Sequence, residues 1–253
     1  MKESKRTILF LVLGSFFIAN AVIAEFVGVK IFSVEDTLGI KPFALKLFGD
    51  TYSFNMTAGV LLWPVVFIMT DIINEYYGKH GVRLFSYIAA ALISYAFIAV
   101  YITMKVSPAG FWLMKETPEG PMNMQLAYTS IFGQGLWIII GSLVAFLLGQ
   151  LIDVYVFHYI KLRTGNKALW LRSTGSTLVS QFIDSFVVLI IAFYLGGNWP
   201  LKLVIAVGVV NYIYKFIIAA LLTPMLYVIH SIIDNYLGKE LSEQLMNEAA
   251  MED

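Results

Sequence analysis

The stretch "FIMTDIINEYYGKHG", residues 67 to 81, begins as membrane-grade apolar sequence and then sets Asp71, Asn74 and Glu75 into the next two turns. On a helix, Asp71, Asn74, Glu75 and Gly78 stand at i, i+3, i+4 and i+7, so they share one face. A charge at the bilayer centre costs about 2.5–3.5 kcal/mol even on the lower scale, so such a stripe must face protein or water. Asp71 lies about six residues inside the end of its span, roughly 9 Å of depth at 1.5 Å per residue. Glu75 lies nearer the surface, where water can reach it.

The rest of the chain has the same character. Of 253 residues, 59% are hydrophobic and 13% charged, with a mean hydropathy of +0.77, which fits an integral membrane protein. Seventeen basic and seventeen acidic residues cancel, which argues against a nucleic-acid partner held by net charge. Without cysteine there is neither a disulfide framework nor a thiolate metal site, and His80, His158 and His230 are too isolated to be a metal set. No cofactor is expected. The opening "MKESKR" and the apolar run after it read as a first membrane helix, because no small-residue cleavage site followed by a soluble domain appears.

Six segments reach the roughly 20 apolar residues that a spanning helix needs: Thr7 to Val27, Thr57 to Tyr77, Leu84 to Val106, Phe132 to Tyr155, Ser176 to Leu195 and Leu201 to Ile229. The expectation is an all-α integral membrane protein, one six-helix bundle domain over residues 1–253, with both termini on one side. Lys and Arg divide ten against six between the two sides, with Lys215 inside the last span. That bias places both termini in the cytoplasm. Two long outer connections, residues 28–56 and 107–130, hold too many aromatic and aliphatic residues for solvated linkers. They are expected to lie against the bundle or in the interface, where Phe111 and Trp112 fit, as anchors rather than as a lid.

"GQLIDVYVF" at 149 to 157 and "SQFIDSFVV" at 180 to 188 share a glutamine and an aspartate three residues apart. Gln150 with Asp153 and Gln181 with Asp184 therefore form two polar patches, expected to face each other on antiparallel neighbours. Asp71, Glu75, Asp153, Asp184 and Lys215 lie in or near the spans, and Asn211 adds another amide. Pro64 and Pro224 are candidates to break spans where backbone groups line a cavity.

Each residue also has a plainer reading: an interfacial helix end for Asp71 and Glu75, an ion-pair partner for Lys215, helix-to-helix hydrogen bonds for the Gln and Asp pairs, and packing for Tyr212, Tyr214 and Phe216. Together they point to an aqueous cavity, most simply a solute site. Carboxylates and amides without an arginine cluster suit a neutral or cationic, donor-rich solute, a planar heterocycle with a guanine-like edge being one example.

The motifs "TDIINEYYGK" (Thr70 to Lys79), "LRTG" (Leu162 to Gly165), "LWLRSTGST" (Leu169 to Thr177) and "SQFID" (Ser180 to Asp184) resemble the queuosine precursor transporters, also called the vitamin uptake transporter family. The resemblance runs from Asn20 and Lys30 to Lys215 and Pro224. It implies a six-helix inner-membrane uptake transporter for 7-deazaguanines such as preQ0, preQ1 or queuine, salvaged for tRNA modification. It also implies that Asp71 and Glu75 are the family's acidic motif, with Arg172, Gln181 and Asp184 its second. The expected substrate-binding set is Asp71, Asn74, Glu75, Gln150, Asp153, Gln181, Asp184, Asn211 and Lys215, with Asn20, Thr70, Gly78 and Arg172 as motif or structural positions. The expected partners are the small-molecule base and the lipid bilayer, with a homodimer left open. The long outer connections and the tail "KELSEQLMNEAAMED" depart from the family pattern and leave the particular base undecided.

One rival is the substrate-binding subunit of an energy-coupling-factor-type vitamin transporter, which is of similar size and also six-helical. An intramembrane enzyme is disfavoured: no H-E-x-x-H motif occurs, and no serine in a span has an evident histidine base. Alternating access around Asp71, Gln181 and Asp184, with Lys215 balancing charge, is the expected mechanism. Proton coupling and facilitated diffusion both remain open.

Overall fold

The computed structural model describes residues 2–133, 135–164 and 169–251. Helix α1 (Lys2–Val27) leads into strand β1 (Ile31–Ser33), a short α2 (Val34–Leu38), strands β2 (Leu45–Leu47), β3 (Asp50–Tyr52) and β4 (Asn55–Thr57), and a 3-10 turn (Ala58–Leu61). The long α3 (Trp63–Lys105) follows, then α4 (Gly110–Leu113), β5 (Met114–Thr117), β6 (Gly120–Asn123) and α5 (Met124–Phe132). Helices α6 (Leu136–Thr164), α7 (Leu169–Leu189, continued as a π-helical stretch Ile190–Leu195), α8 (Leu201–Leu237) and α9 (Lys239–Ala250) complete the chain. Five of these segments are long and apolar enough to cross a membrane. The protein is an all-α membrane-type fold.

The expected second and third spans both fall within α3. At 43 residues, a straight helix would be about 64 Å long against a hydrocarbon core of about 30 Å. It is not straight. At Gly78 the backbone adopts φ 66° and ψ −173°, a region open essentially to glycine alone. The packing shows what the break does. Before it, the chain runs antiparallel to α1: Gly59 lies against Ala24 and Gly28, and Tyr77 reaches Phe10 and the Arg6 carbonyl. Beyond it, Phe85 packs at a tilt against Phe10 and Phe97 stacks on Phe26, so the second arm runs parallel to α1.

Several boundaries differ from expectation. Thr57 ends a strand, and the helix after it starts at Trp63. Pro64 does not break a span: it sits in the first turn, where its missing N–H costs nothing and its fixed φ suits a helix start. Phe132 belongs to α5, and the membrane-grade helix begins at Leu136 and continues past Tyr155 to Thr164. Helix α7 begins at Leu169, seven residues before the expected Ser176, and α8 continues past Ile229 to Leu237 with Pro224 inside it. Gly165 and Lys167, which sequence reading placed in a connecting loop, lie outside the described residues.

The outer connections are folded. Strand β1 pairs antiparallel with β4, β2 with β3, and β5 with β6, making three small ribbons. The first connection is seated on the bundle: Met56, Val60 and Val210 form an apolar cluster that Phe32, Leu45, Tyr52, Phe54 and Tyr214 close over. Gly59 is required here, since a Cβ would stand 2.7 Å from the Ala24 carbonyl oxygen of α1. In the other connection Phe111 projects outward, 92% exposed, and Trp112 packs edge-on against Tyr128.

At the opposite end the two termini meet. Arg6 ion-pairs with Glu248 at 3.0 Å, and Lys5 donates to the Tyr236 carbonyl. The tail is an ordered amphipathic helix, α9, burying Leu241, Leu245 and Ala249. Tyr76 donates to Asp234 at 2.7 Å, and Ser242 donates to the same carboxylate.

Candidate functional site

Helix α7 carries the polar groups. Ser173, Thr177, Ser180 and Asp184 recur at i, i+4, i+7 and i+11, with Arg172, Ser176 and Gln181 beside them, so one stripe of an otherwise apolar helix is polar. Arg172, Ser173, Ser176, Thr177, Ser180 and Gln181 are all buried. The first arm of α3, together with α6 and α8, supplies their partners.

Nearest the termini, Arg172 grips Glu75 with two bonds, Nη2 to Oε1 at 2.6 Å and Nε to Oε2 at 3.0 Å. Lys161 of α6 adds an ion pair to Glu75 Oε2 at 3.5 Å and donates to the Glu75 carbonyl at 3.1 Å. Glu75 is 0% exposed. The expectation of water access there is overturned: the bidentate fork and the second cation replace the hydration that burial removes.

One turn deeper, Ser173 donates to Asp71 Oδ2, Thr70 donates to Gln150 Oε1 at 2.9 Å, and Ser180 donates to Asp153 Oδ1 at 3.1 Å. Lys215 of α8 ion-pairs with Asp184 of α7. Farthest from the termini, Ser142 of α6 donates to Glu25 of α1.

A cavity of about 50 Å³ opens among these elements, lined by Asp71, Ser173, Thr177, Gln181 and Lys215 on its polar side and by Trp63, Phe67, Tyr214 and Leu226 among its apolar walls. Two buried atoms on it have no hydrogen-bond partner: the acceptor Asp71 Oδ1 and the donor Gln181 Nε2. Native structures leave few such atoms, so an unmet acceptor and an unmet donor on one cavity mark where a ligand or water belongs. The described residues hold no group of three or more His, Cys, Asp or Glu able to bind a metal.

The structure divides the sequence-predicted residues. Asp71, Gln181 and Lys215 reach the cavity, and Asp184 stands behind Lys215. Glu75 is consumed by its ion pairs, while Gln150 and Asp153 occupy the α3–α6–α7 junction away from the cavity wall. Asn74 is buried with Nδ2 unpartnered, and Asn211 is half-buried on α8, also off the wall. Among the motif positions, Asn20 donates to its own helix at Phe16, Thr70 holds Gln150, Gly78 makes the break, and Arg172 binds Glu75. The two Gln and Asp patches use different partners, Asp153 taking Ser180 and Asp184 taking Lys215.

Sequence reasoning passed over Ser173, Thr177 and Trp63 as cavity lining and Glu25 and Lys161 as buried charges, and it read Tyr214, which lines the cavity, as packing. The i, i+4 spacing of Ser173 and Thr177 was a usable signal. So was Glu25, an acid three residues from the end of a 25-residue apolar span.

Long apolar helices that bury carboxylates, amides and a lysine around a small cavity define a multi-pass membrane transporter. The profile of the family described as "Putative vitamin uptake transporter" matches residues 57–229, and the chain belongs to that family. It is 30% identical over 192 residues to the "Probable queuosine precursor transporter" of Bacillus subtilis (strain 168), covering 76% of this chain and 77% of the relative. To the Haemophilus influenzae protein of the same description it is 27% identical over 182 residues, covering 68% and 67%. To the "Queuosine precursor transporter" of Escherichia coli (strain K12) it is 26% identical over 200 residues, covering 76% and 78%. These relatives are transporters, not enzymes. No solved structure matches.

Proposed function

We propose that this chain takes up queuosine precursors, 7-deazaguanine bases, across the inner membrane by alternating access around the cavity at Asp71, Gln181 and Lys215. One observation carries the reading: the unpartnered Asp71 Oδ1 and Gln181 Nε2 share a cavity with Trp63, Phe67 and Tyr214. A 2-amino-4-oxo-pyrimidine edge offers N–H donors to the carboxylate and a carbonyl to the amide, while its ring plane suits the aromatic wall. Ser173 and Thr177 hydroxyls and the Lys215 ammonium supply further adjustable contacts. The names of the relatives favour the same class of base.

A volume of about 50 Å³ holds a few waters rather than a bicyclic base, so this form is contracted and helices must part to admit substrate. That is the behaviour of an occluded or unloaded state between two openings. The reading includes six crossings with both termini in the cytoplasm. It is supported by the opposed directions of the two α3 arms, the Arg6–Glu248 contact and the excess of Lys and Arg on the termini side.

The test is uptake of a 7-deazaguanine base by a host lacking its own transporter and any energising ATPase module, read as queuosine in tRNA. Restored queuosine is expected. Uptake only when an energising module is supplied would replace this reading with the energy-coupling-factor substrate subunit. Asp71→Asn and Asp184→Asn are expected to abolish uptake while the protein stays in the membrane. Normal uptake by both would assign these carboxylates to structure alone.

A further inference from the structure

Helix α8 forms one wall of the cavity, yet it is the least embedded of the membrane-grade segments: 11% of its most apolar stretch is buried, against 28–33% in the other four. The Glu75 cluster fastens α3, α6 and α7 to one another, so those three helices act as one body. Lys215 and Asp184 tie the middle of α8 to α7. Past the middle the ties weaken: Thr223 meets Thr174 at 3.1 Å, and the Trp170 amide reaches the Tyr227 hydroxyl at 3.3 Å, both contacts between neutral groups. Pro224 stands between those two contacts. Lacking an N–H, it leaves the Ala220 carbonyl one turn back without its helical partner, and a helix bends most readily at such a residue. Leu226, just beyond it, lines the cavity and is buried.

The tip of α8 is fastened again, and more firmly. Tyr76, two residues before the break in α3, donates to Asp234 at 2.7 Å, a bond strengthened by the carboxylate's charge. Lys5 of α1 donates to the Tyr236 carbonyl at 2.6 Å. One residue, Gly238, separates the tip from α9, and Ser242 of α9 donates to Asp234, so tip and tail helix form one unit. That unit is held at its far end by the Arg6–Glu248 ion pair at 3.0 Å, and along its length by Leu241, Leu245 and Ala249, which it buries. An amphipathic helix beside a membrane has a second resting place, with its apolar face in the headgroup region. Undocking therefore does not leave those three side chains in water.

We propose that α8 from Pro224 to Leu237 is the termini-side gate of the cavity and that α9 is the latch that holds it closed. The proposal rests on the transporter reading, and it deepens that reading by naming the part that moves. When α9 leaves α1 and α3, the α8 tip goes with it and the helix bends at Pro224. Leu226 then withdraws, and the cavity opens toward the termini while the Glu75 cluster stays intact. In the proposed orientation this is the path of release to the cytoplasm. Redocking of α9 restores the closed form.

The chain has no cysteine, so Arg6→Cys with Glu248→Cys gives a protein with two thiols, both at exposed positions. A short bifunctional thiol reagent whose bonds a reductant cleaves tethers α9 to α1 there. In liposomes, uptake of a 7-deazaguanine base by the full-length double variant is expected to fall to background on tethering and to return on cleavage. Undiminished uptake with the tether complete would overturn the latch. If wild type moves no such base, the proposed function falls, and the gate is judged without substrate. For that, Leu226→Cys in detergent is labelled with a water-soluble thiol reagent. Adding Tyr76→Phe removes the bond to Asp234 but keeps the ring, and it is expected to speed labelling about tenfold, the factor that one bond to a charged group carries. Labelling at an unchanged rate would sink the gate.

Discussion

One turn toward the termini from the cavity-lining Asp71 stand Glu75, Arg172 and Lys161, three charged side chains each at most 3% exposed, whereas Val60, on the cavity's other side, belongs to an apolar cluster with Met56 that aromatic side chains close over. The charged end is held by directional bonds that are complete only with every partner present. Removing one leaves a buried charge behind. The ribbon end is held against the bundle by apolar contacts that slide or part by degrees, and the Lys202–Asp50 ion pair there, at 3.2 Å, lies at the surface. The contrast teaches that the two ends resist opening differently. The ribbon end yields gradually, while the charged end yields only when its whole cluster rearranges.

The largest consequence is expected at the charged end. Glu75→Ala strands Arg172 and Lys161 in the interior and should cost about 3–5 kcal/mol, enough to remove most folded protein. Detergent-solubilised thermal unfolding, monitored by size-exclusion chromatography, measures this. A variant as stable as wild type would mean that the triad is not a lock. At the ribbon end, Met56→Ala removes a side chain only 2% exposed, at a cost of about 2–5 kcal/mol. The loss should be local, visible as faster proteolysis within residues 31–57 while the bundle's melting changes less.

Between the two ends in the chain stands the break in α3. Gly78→Ala forces a Cβ onto a backbone with φ 66° and should cost about 1–3 kcal/mol. Cysteine labelling of single sites in the two arms, compared with wild type, would show whether their packing survives.

Acid should loosen the ribbon before it touches the bundle. Burial pushes the Glu35 carboxyl up, but hydrogen bonds, led by the Phe54 backbone N–H at 2.9 Å, outweigh it and hold the group below the usual carboxylate range. A lowered folded value stabilises the ribbon at pH above the unfolded value of about 4.3, and that contribution is lost as pH falls through the lower folded value. Hydrogen exchange at the Phe54 amide should accelerate over that acid range in wild type, and Glu35→Gln should remove the pH step. Least of all, Lys202→Ala is expected to change stability by under about 1 kcal/mol, because both partners are more than half exposed.

Much of this was written locally. Apolar runs of spanning length announced the membrane helices, and the i, i+3, i+4 spacing of Asp71, Asn74 and Glu75 announced that one face of α3 turns inward. The depth of Glu75 was illegible, because its distance from a span end says nothing of which residues arrive from α6 and α7. Arg172 and Lys161 are 97 and 86 residues away in the chain, and only their meeting buries the acid. Gly78 was visible as the fourth member of a stripe, while its left-handed backbone depends on the two arms packing back along α1.

The sequence by itself determined the solvent, the number of long apolar runs and the polar residues that must turn inward, since these follow from transfer free energies and helix periodicity. Only the tertiary structure decided which acids would be neutralised by a cation and which would not. Asp71 and Glu75 are one turn apart on the same helix, yet Glu75 is paired and Asp71 faces a cavity. Pairing depends on what neighbouring helices bring to a given depth, and no local pattern encodes that.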